Sequence, residues 1–583
     1  MANPDQTLAT ASETTASSLQ PLQVRGLSRW RLPEPSQAAS TLLLLVVALL
    51  SLYPIAQVIL QSFESSSPGE AVSWSLAGWQ ALVGERVLQS AVWNTVNLAL
   101  VRQFLALILG IFVAWLLART NVPGRRVFEF LFWLAFFFPS LTVTLSWLFL
   151  LDPRFGLVNQ TLASVGIGPL NIYSFWGIVW VHLVGNSLAI KVMLLTPAFR
   201  NMNSTYEDAA RVFGASTFWT TVRIFLPLML PVIVAVEFLA LLRSFEAFEI
   251  EQILGTPVRF FVASTWIYDT LTQVRPRYDA VAALAVVLIL ASLALVTLQR
   301  AIIGTRRYTT ITGQYQANIV KLGPVRWVAF GFLVLLVGLS VGVPVVCSVT
   351  ATLMKKFGFF TSNPWTLQNW QTAIQDPLLV RALQNTVVLA LSTAVTSMVV
   401  FALIAYVITR TRFWGRSILD YLSWLPFTVP GIILSLALLT MFLQPAARPF
   451  YGTMFTLVLA LVIAGMPFAV QTMKSAFVQL SHDLEEASFA SGVTWWQTYR
   501  RIVLPLISPM LVVVGVISFI SAGRNIAQVA LLSNTATRPL SIMQLDYISE
   551  GKYEVAAVIA TILLLVSAAL ALVARKYGYR SIS

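Results

Sequence analysis

The side chains able to do chemistry are few, and they stand far apart in a very apolar chain. The densest group is Arg243, Glu246, Glu249 and Glu251, followed by the isolated Glu237, His182 and Lys191. Ionisable groups inside a membrane protein are costly and commonly functional, so acids and bases in one short stretch suggest a charged gate or a path for a cation. Solvation at a helix end is the plainer alternative, since helix ends tolerate snorkelling charge. Arg243 and Glu246 fall on one helical face and can pair at i,i+3. A catalytic constellation, a cofactor and a bound metal are not expected. His182 and His482 are the two histidines and Cys347 the one cysteine, too few for a His-rich metal site, a four-cysteine zinc site or a disulfide.

Composition says what must position these groups. Of 583 residues, 57% are hydrophobic and 11% charged, with mean hydropathy +0.78. Soluble domains run at about a quarter charged, so the chain is an all-α polytopic membrane protein. Its net charge of +14 fits basic cytoplasmic loops, and nucleic acid is not expected as a partner. Segments of roughly 20 apolar residues fall near 39–61, 92–117, 127–151, 174–197, 227–247 and 279–301, spans 1 to 6. Spans 7 to 12 follow near 326–350, 383–409, 417–443, 451–474, 505–525 and 553–575. Residues 1–38 read as a disordered cytoplasmic tail, 39–302 and 326–575 as two halves with cores near 90–300 and 381–574, 303–325 as a cytoplasmic linker and 576–583 as a C-terminal tail. Arg119, Arg125 and Arg126, Arg300, Arg306 and Arg307, and Arg410, Arg412 and Arg416 share one side if both termini are cytoplasmic. Lys355 and Lys356 are exceptions.

The halves repeat each other. "WSLAGWQALVG" from Trp74 recurs as "WTLQNWQTAIQ" from Trp365, and "NTVNLAL" from Asn94 as "NTVVLAL" from Asn385, an offset of 385 − 94 = 291. Later the offset is 486 − 208 = 278. The first half therefore holds 291 − 278 = 13 extra residues, placed in the external loop "DPRFGLVNQTLASVGIGPLN" between spans 3 and 4. Two six-span halves have parallel topology about an axis along the membrane normal.

One polar phrase also occurs twice. Glu207, Asp208, Ala209, Ala210, Gly214, Ile224, Leu226 and Pro227 match Glu485, Glu486, Ala487, Ser488, Gly492, Ile502, Leu504 and Pro505. Each copy lies in a cytoplasmic loop, between spans 4 and 5 and between spans 10 and 11. It resembles the EAA loop of permease subunits of bacterial ATP-driven (ABC) importers with a type I fold. Asp208 stands for the usual Glu in the first copy, and Ser488 for the second Ala in the second. Together with "SFEAFEIEQILGTP" and "YDAVAALAVVL", the fused form is most similar to ferric-iron permeases; fused permeases for thiamine and aminoethylphosphonate share the architecture.

The resemblance implies that each EAA helix docks, helix in groove, into a separate ATPase subunit. Two such helices imply two ATPase copies, and a periplasmic binding protein that captures the substrate. No G-x-x-x-x-G-K-[ST] occurs in the chain, so ATP hydrolysis is expected on another polypeptide. The expected location is the bacterial inner membrane, surrounded by lipid. Ferric iron is the expected cargo, with thiamine, 2-aminoethylphosphonate or polyamine as alternatives and a major-facilitator secondary transporter as the competing class. By the 278 offset Glu246 corresponds to Arg524 (246 + 278 = 524), so the outer gate is expected to use Arg243, Glu246, Glu249, Glu251 and Arg524, with Glu246 and Arg524 pairing across the mouth.

Overall fold

Apolar runs this long, in a medium that cannot hydrogen-bond the backbone, satisfy their peptide groups internally as helices. The computed structural model describes residues 37–66, 72–202, 209–210, 212–303, 319–360, 363–481 and 483–580. Among them there is no strand beyond isolated bridges. Ten helices are long and apolar enough to cross a membrane: Gln37–Gln61, Arg86–Arg119, Phe175–Arg200, Thr221–Phe245, Tyr278–Gln299, Val325–Thr352, Pro377–Arg410, Met454–Gln479, Trp496–Arg524 and Tyr553–Val573. Spans 3 and 9 are bent pairs: Arg125–Phe137 with Ser140–Leu151 turns through 101°, and Arg416–Thr428 with Gly431–Leu443 through 108°. Pro139 and Pro430 sit at the two breaks, where a ring without an N–H cannot continue the helix.

Each bent pair still carries the chain across. Arg119, at the end of span 2, donates to the Met202 carbonyl beyond the end of span 4 at 3.5 Å. Arg410, at the end of span 8, reaches the carbonyls of Phe477 and Leu480 at the end of span 10. Ends that touch lie on one side of the bundle, so spans 3 and 9 each cross once and the traverses number twelve among the described residues.

The duplication extends to detail. The bridges Glu64↔Trp74 and Met354↔Trp365 close the same small hairpin after spans 1 and 7. The 13 extra residues lie where the offsets place them: 23 residues separate Leu151 from Phe175, and 10 separate Leu443 from Met454. The longer loop holds a short helix, Leu157–Ser164. Its Phe155 packs against Phe357 and Tyr553 of the second half. First helices are exchanged: span 1 packs on the second half's bent pair as well as on span 6, and span 7 on the first half's bent pair and span 12. Ser146 of span 3, for instance, lies 3.1 Å from Ser348 of span 7.

Candidate functional site

The polar phrase forms a short, capped helix where it is described. Glu207 and Asp208 lie outside the described residues. In the second copy the helix is Asp483–Ala490, and Gly492 follows with φ +76°; Gly214 has φ +77° in the first. Each glycine ends its helix in the left-handed conformation, and the next N–H reaches back five residues, Ala215 to Ala210 and Val493 to Ser488. This is the Schellman closure, which only Gly adopts at little cost. The Leu-Pro pairs then begin spans 5 and 11 through π-helical turns at Thr221–Phe225 and Tyr499–Val503, a register in which the carbonyls before Pro227 and Pro505 escape the ring.

The two adjacent acids of the second copy have different surroundings. Glu485 is buried and lies 3.5 Å from Arg410, which also holds the end of span 10. Glu486 and Ala487 are exposed. Ser488 faces inward, 2.9 Å from Thr498 at the start of span 11. Ile224 and Ile502, and Leu226 and Leu504, are half-buried at matching places. In the first copy Ala210 is buried, while Val212 and Phe213 are 83% and 89% exposed. Each loop thus has one face fixed to the bundle, and the first presents large apolar side chains that a partner could cover.

At the other end, Arg243 and Glu246 pair at 2.9 Å. The cross-mouth pair expected between Glu246 and Arg524 is not formed: Arg524 donates to the Phe136 carbonyl at 2.8 Å. The reason is geometric, because Glu246 already holds Arg243 within its own half. Glu249 lies on the short helix Glu249–Leu254 beyond span 5. Burial pushes its carboxyl up to about 7; its own backbone N–H and Arg524 oppose that shift, and Glu251 and Glu246 add to it.

Glu251 is fully buried, with Oε1 2.7 Å from His182 Nε2 and 3.5 Å from Arg102. His182 Nε2 also lies 2.6 Å from Arg102, which donates to the Ser244 carbonyl at 3.0 Å. Lys191, also fully buried, pairs with Glu237. The three residues isolated in sequence therefore sit in two ionic clusters joining spans 2, 4 and 5. Arg102 escaped sequence reading because it lies inside span 2, with no charged neighbour along the chain. Asn94 and Asn385 hold the loops after spans 5 and 11 through the carbonyls of Phe261 and Ala536, both at 2.9 Å. Thr95 and Thr386 accept from the N–H groups of Ala263 and Leu540, both at 2.8 Å. The signal for that role was the recurrence of Asn-Thr-Val. Among the described residues no three His, Cys, Asp or Glu side chains gather into a metal-ligand set.

The profile of the family described as "Binding-protein-dependent transport system inner membrane component" matches residues 106–308 and 377–580. A putative ferric transport system permease protein of Haemophilus influenzae is 27% identical over 400 residues, 66% of this chain; the chain spans 61% of that relative's length. The ferric transport system permease protein FbpB of Actinobacillus pleuropneumoniae is 25% identical over 557 residues, 91% of this chain and 76% of that one. The sulfate transport system permease protein CysT of Escherichia coli is 32% identical over 215 residues, 34% of this chain and 76% of that one.

Proposed function

Because this chain belongs to the binding-protein-dependent transport system inner membrane components, the permeases of ABC importers, and carries their domain twice, we propose that it imports ferric iron using ATP hydrolysed elsewhere. Cargo delivered by a periplasmic binding protein enters the outer mouth, passes between the halves and leaves into the cytoplasm. Two copies of an ATPase subunit dock on the two EAA helices, and both termini are cytoplasmic. The half boundaries near 39–302 and 326–575 belong to this reading, as do the tails at either end and the linker 303–325.

The observation that carries the coupling role is the matched pair of glycine-capped loops, each followed by a π-helical turn into the membrane. Glu486, Ala487 and Gly492 are exposed for docking, while Glu485 and Ser488 anchor the helix to the bundle. A secondary transporter would give these loops no task. Iron is favoured by a ferric permease relative that aligns with 91% of the chain, whereas the sulfate relative aligns with 34%. Arg243, Glu246, Glu249 and Arg524 are assigned to the outer gate, and Glu251 to the support beneath it.

Copurification tests the coupling. The intact chain should bring down an ATPase subunit, and deletion of Glu485–Gly492 should abolish that association. Retained association overturns the coupling role. Uptake by the assembled transporter, compared for ferric iron, sulfate, thiamine and 2-aminoethylphosphonate, decides the cargo.

A further inference from the structure

Phe136 lies one turn before the break in span 3, and Phe427 is its copy in span 9, since 427 − 136 = 291. Each ring is half-buried and receives an arginine from the opposite half. The Arg524 guanidinium stands 5.5 Å from the Phe136 ring, and the Arg243 guanidinium 5.4 Å from the Phe427 ring. Both distances are within cation–π range. Arg524 also donates to the Phe136 carbonyl, one of those a helix leaves unpaired at its C-terminal end.

The arginines are not copies of each other. Arg243 corresponds to Ser521 and Arg524 to Glu246, so the two are offset by about a turn of helix. Two non-equivalent residues converging on equivalent partners is more than the duplication alone produces. Beside them the interface between halves is apolar, with Phe137 packed against Ile520 and Ala571, and further apolar packing would have closed the gap. A guanidinium on a ring differs in being readily exchanged for water, as a contact that must open and re-form requires.

We propose that Arg243 on Phe427 and Arg524 on Phe136 are reciprocal latches that hold the outer mouth shut. They tie the end of each half's fifth span to the break of the other half's bent span, and both must release before the halves part. This rests on the permease reading above and gives the gate its partners: aromatic rings and a carbonyl across the interface, in place of the pairing of Glu246 with Arg524.

The test uses the complete transporter, the chain with its ATPase and binding protein, in proteoliposomes. ATPase activity is measured with and without substrate-loaded binding protein. Phe136→Leu combined with Phe427→Leu keeps apolar bulk and removes both ring faces. Loss of two such contacts should raise the activity without binding protein roughly tenfold through a larger open population. The rate at saturating binding protein should stay within about twofold of the parent.

An unchanged activity without binding protein, in a variant that elutes and melts as the parent does, overturns the latch. Should that variant not assemble, Arg243→Gln and Phe427→Leu are compared singly and together. The latch requires the pair to act non-additively, and it requires Arg243→Gln with Phe136→Leu to be additive; the opposite pattern overturns it. A parent complex that binding protein fails to stimulate overturns the permease reading itself. Stimulation in the parent with no change in the variants overturns the latch alone.

Discussion

The two halves bury different things at the same places. Arg102, His182 and Glu251 form an ionic cluster in the first half. The offsets put Thr393, Ala460 and Val529 there in the second (102 + 291, 182 + 278, 251 + 278). Lys191 and Glu237 pair over Gly110; their counterparts are Ala469, Gly515 and Phe401. At Gly110 an added Cβ would overlap Lys191, and in the second half Phe401 is fully buried in the same core cluster as Ala469. A buried ion pair is often no more stable than well-packed apolar residues of similar volume. This chain contains both solutions, so the fold does not require the charges. They are particular to the half whose Glu249–Leu254 helix carries Glu249.

The largest effect should come from breaking the ionic cluster on one side only. Glu251→Gln leaves Arg102 charged and buried without its counterion, a loss of about 3–5 kcal/mol. Unfolding of the purified chain in detergent, followed by temperature or denaturant, measures it. Importing the second half's residues together, as Arg102→Thr, His182→Ala and Glu251→Val, should cost clearly less than the single change, because no charge is stranded. If the triple variant is worse than the single by the sum of its parts, the halves are not equivalent frames.

The second comparison is steric. Gly110→Phe alone forces a ring into the Lys191 side chain, an overpacking loss of roughly 1–3 kcal/mol. Gly110→Phe with Lys191→Ala and Glu237→Gly reproduces the arrangement around Phe401 and should recover most of that loss in the same unfolding measurement. No recovery would mean that the surrounding helices differ in spacing as well as in side chains.

Which parts of this were legible in sequence follows from what each signal depends on. Spans, duplication and the 13-residue insertion depend on apolar length and on spacing, both properties of the chain itself. The glycine caps at Gly214 and Gly492 follow from local backbone chemistry, and both glycines stand in the repeated phrase, whereas the π-helical turns before Pro227 and Pro505 were not expected from it. The breaks at Pro139 and Pro430 were visible as prolines, but a proline does not state the size of a bend, here 101° and 108°. Side-chain partners across spans were not legible. Arg102 and Glu251 are 149 positions apart, and the offset that aligned Glu246 with Arg524 gave equivalence about the axis, which is not contact. Phe136 and Phe427 carry no mark of their role, because nothing separates them in sequence from the other aromatics of the chain.

The last comparison separates the halves by titration. Glu249 corresponds to Ala527 (249 + 278 = 527), so only the first half carries a carboxyl at this place. Its folded value is raised to about 7 from an ordinary 4.5, so between these values the folded chain holds a proton the unfolded chain has released. Stability therefore falls as pH rises through that window and is level with respect to this group on either side of it. Desolvation is the largest cause, and Arg524 opposes it. A single proton limits the slope to at most about 1.4 kcal/mol per pH unit. Glu249→Gln should flatten the slope of stability against pH over that interval, measured as the difference from the parent chain. Arg524→Gln should carry the slope to higher pH, because a cation favouring the carboxylate is gone. If Glu249→Gln leaves the slope intact, the group titrating there is another, and the first half is no more sensitive to protons at this place than the second.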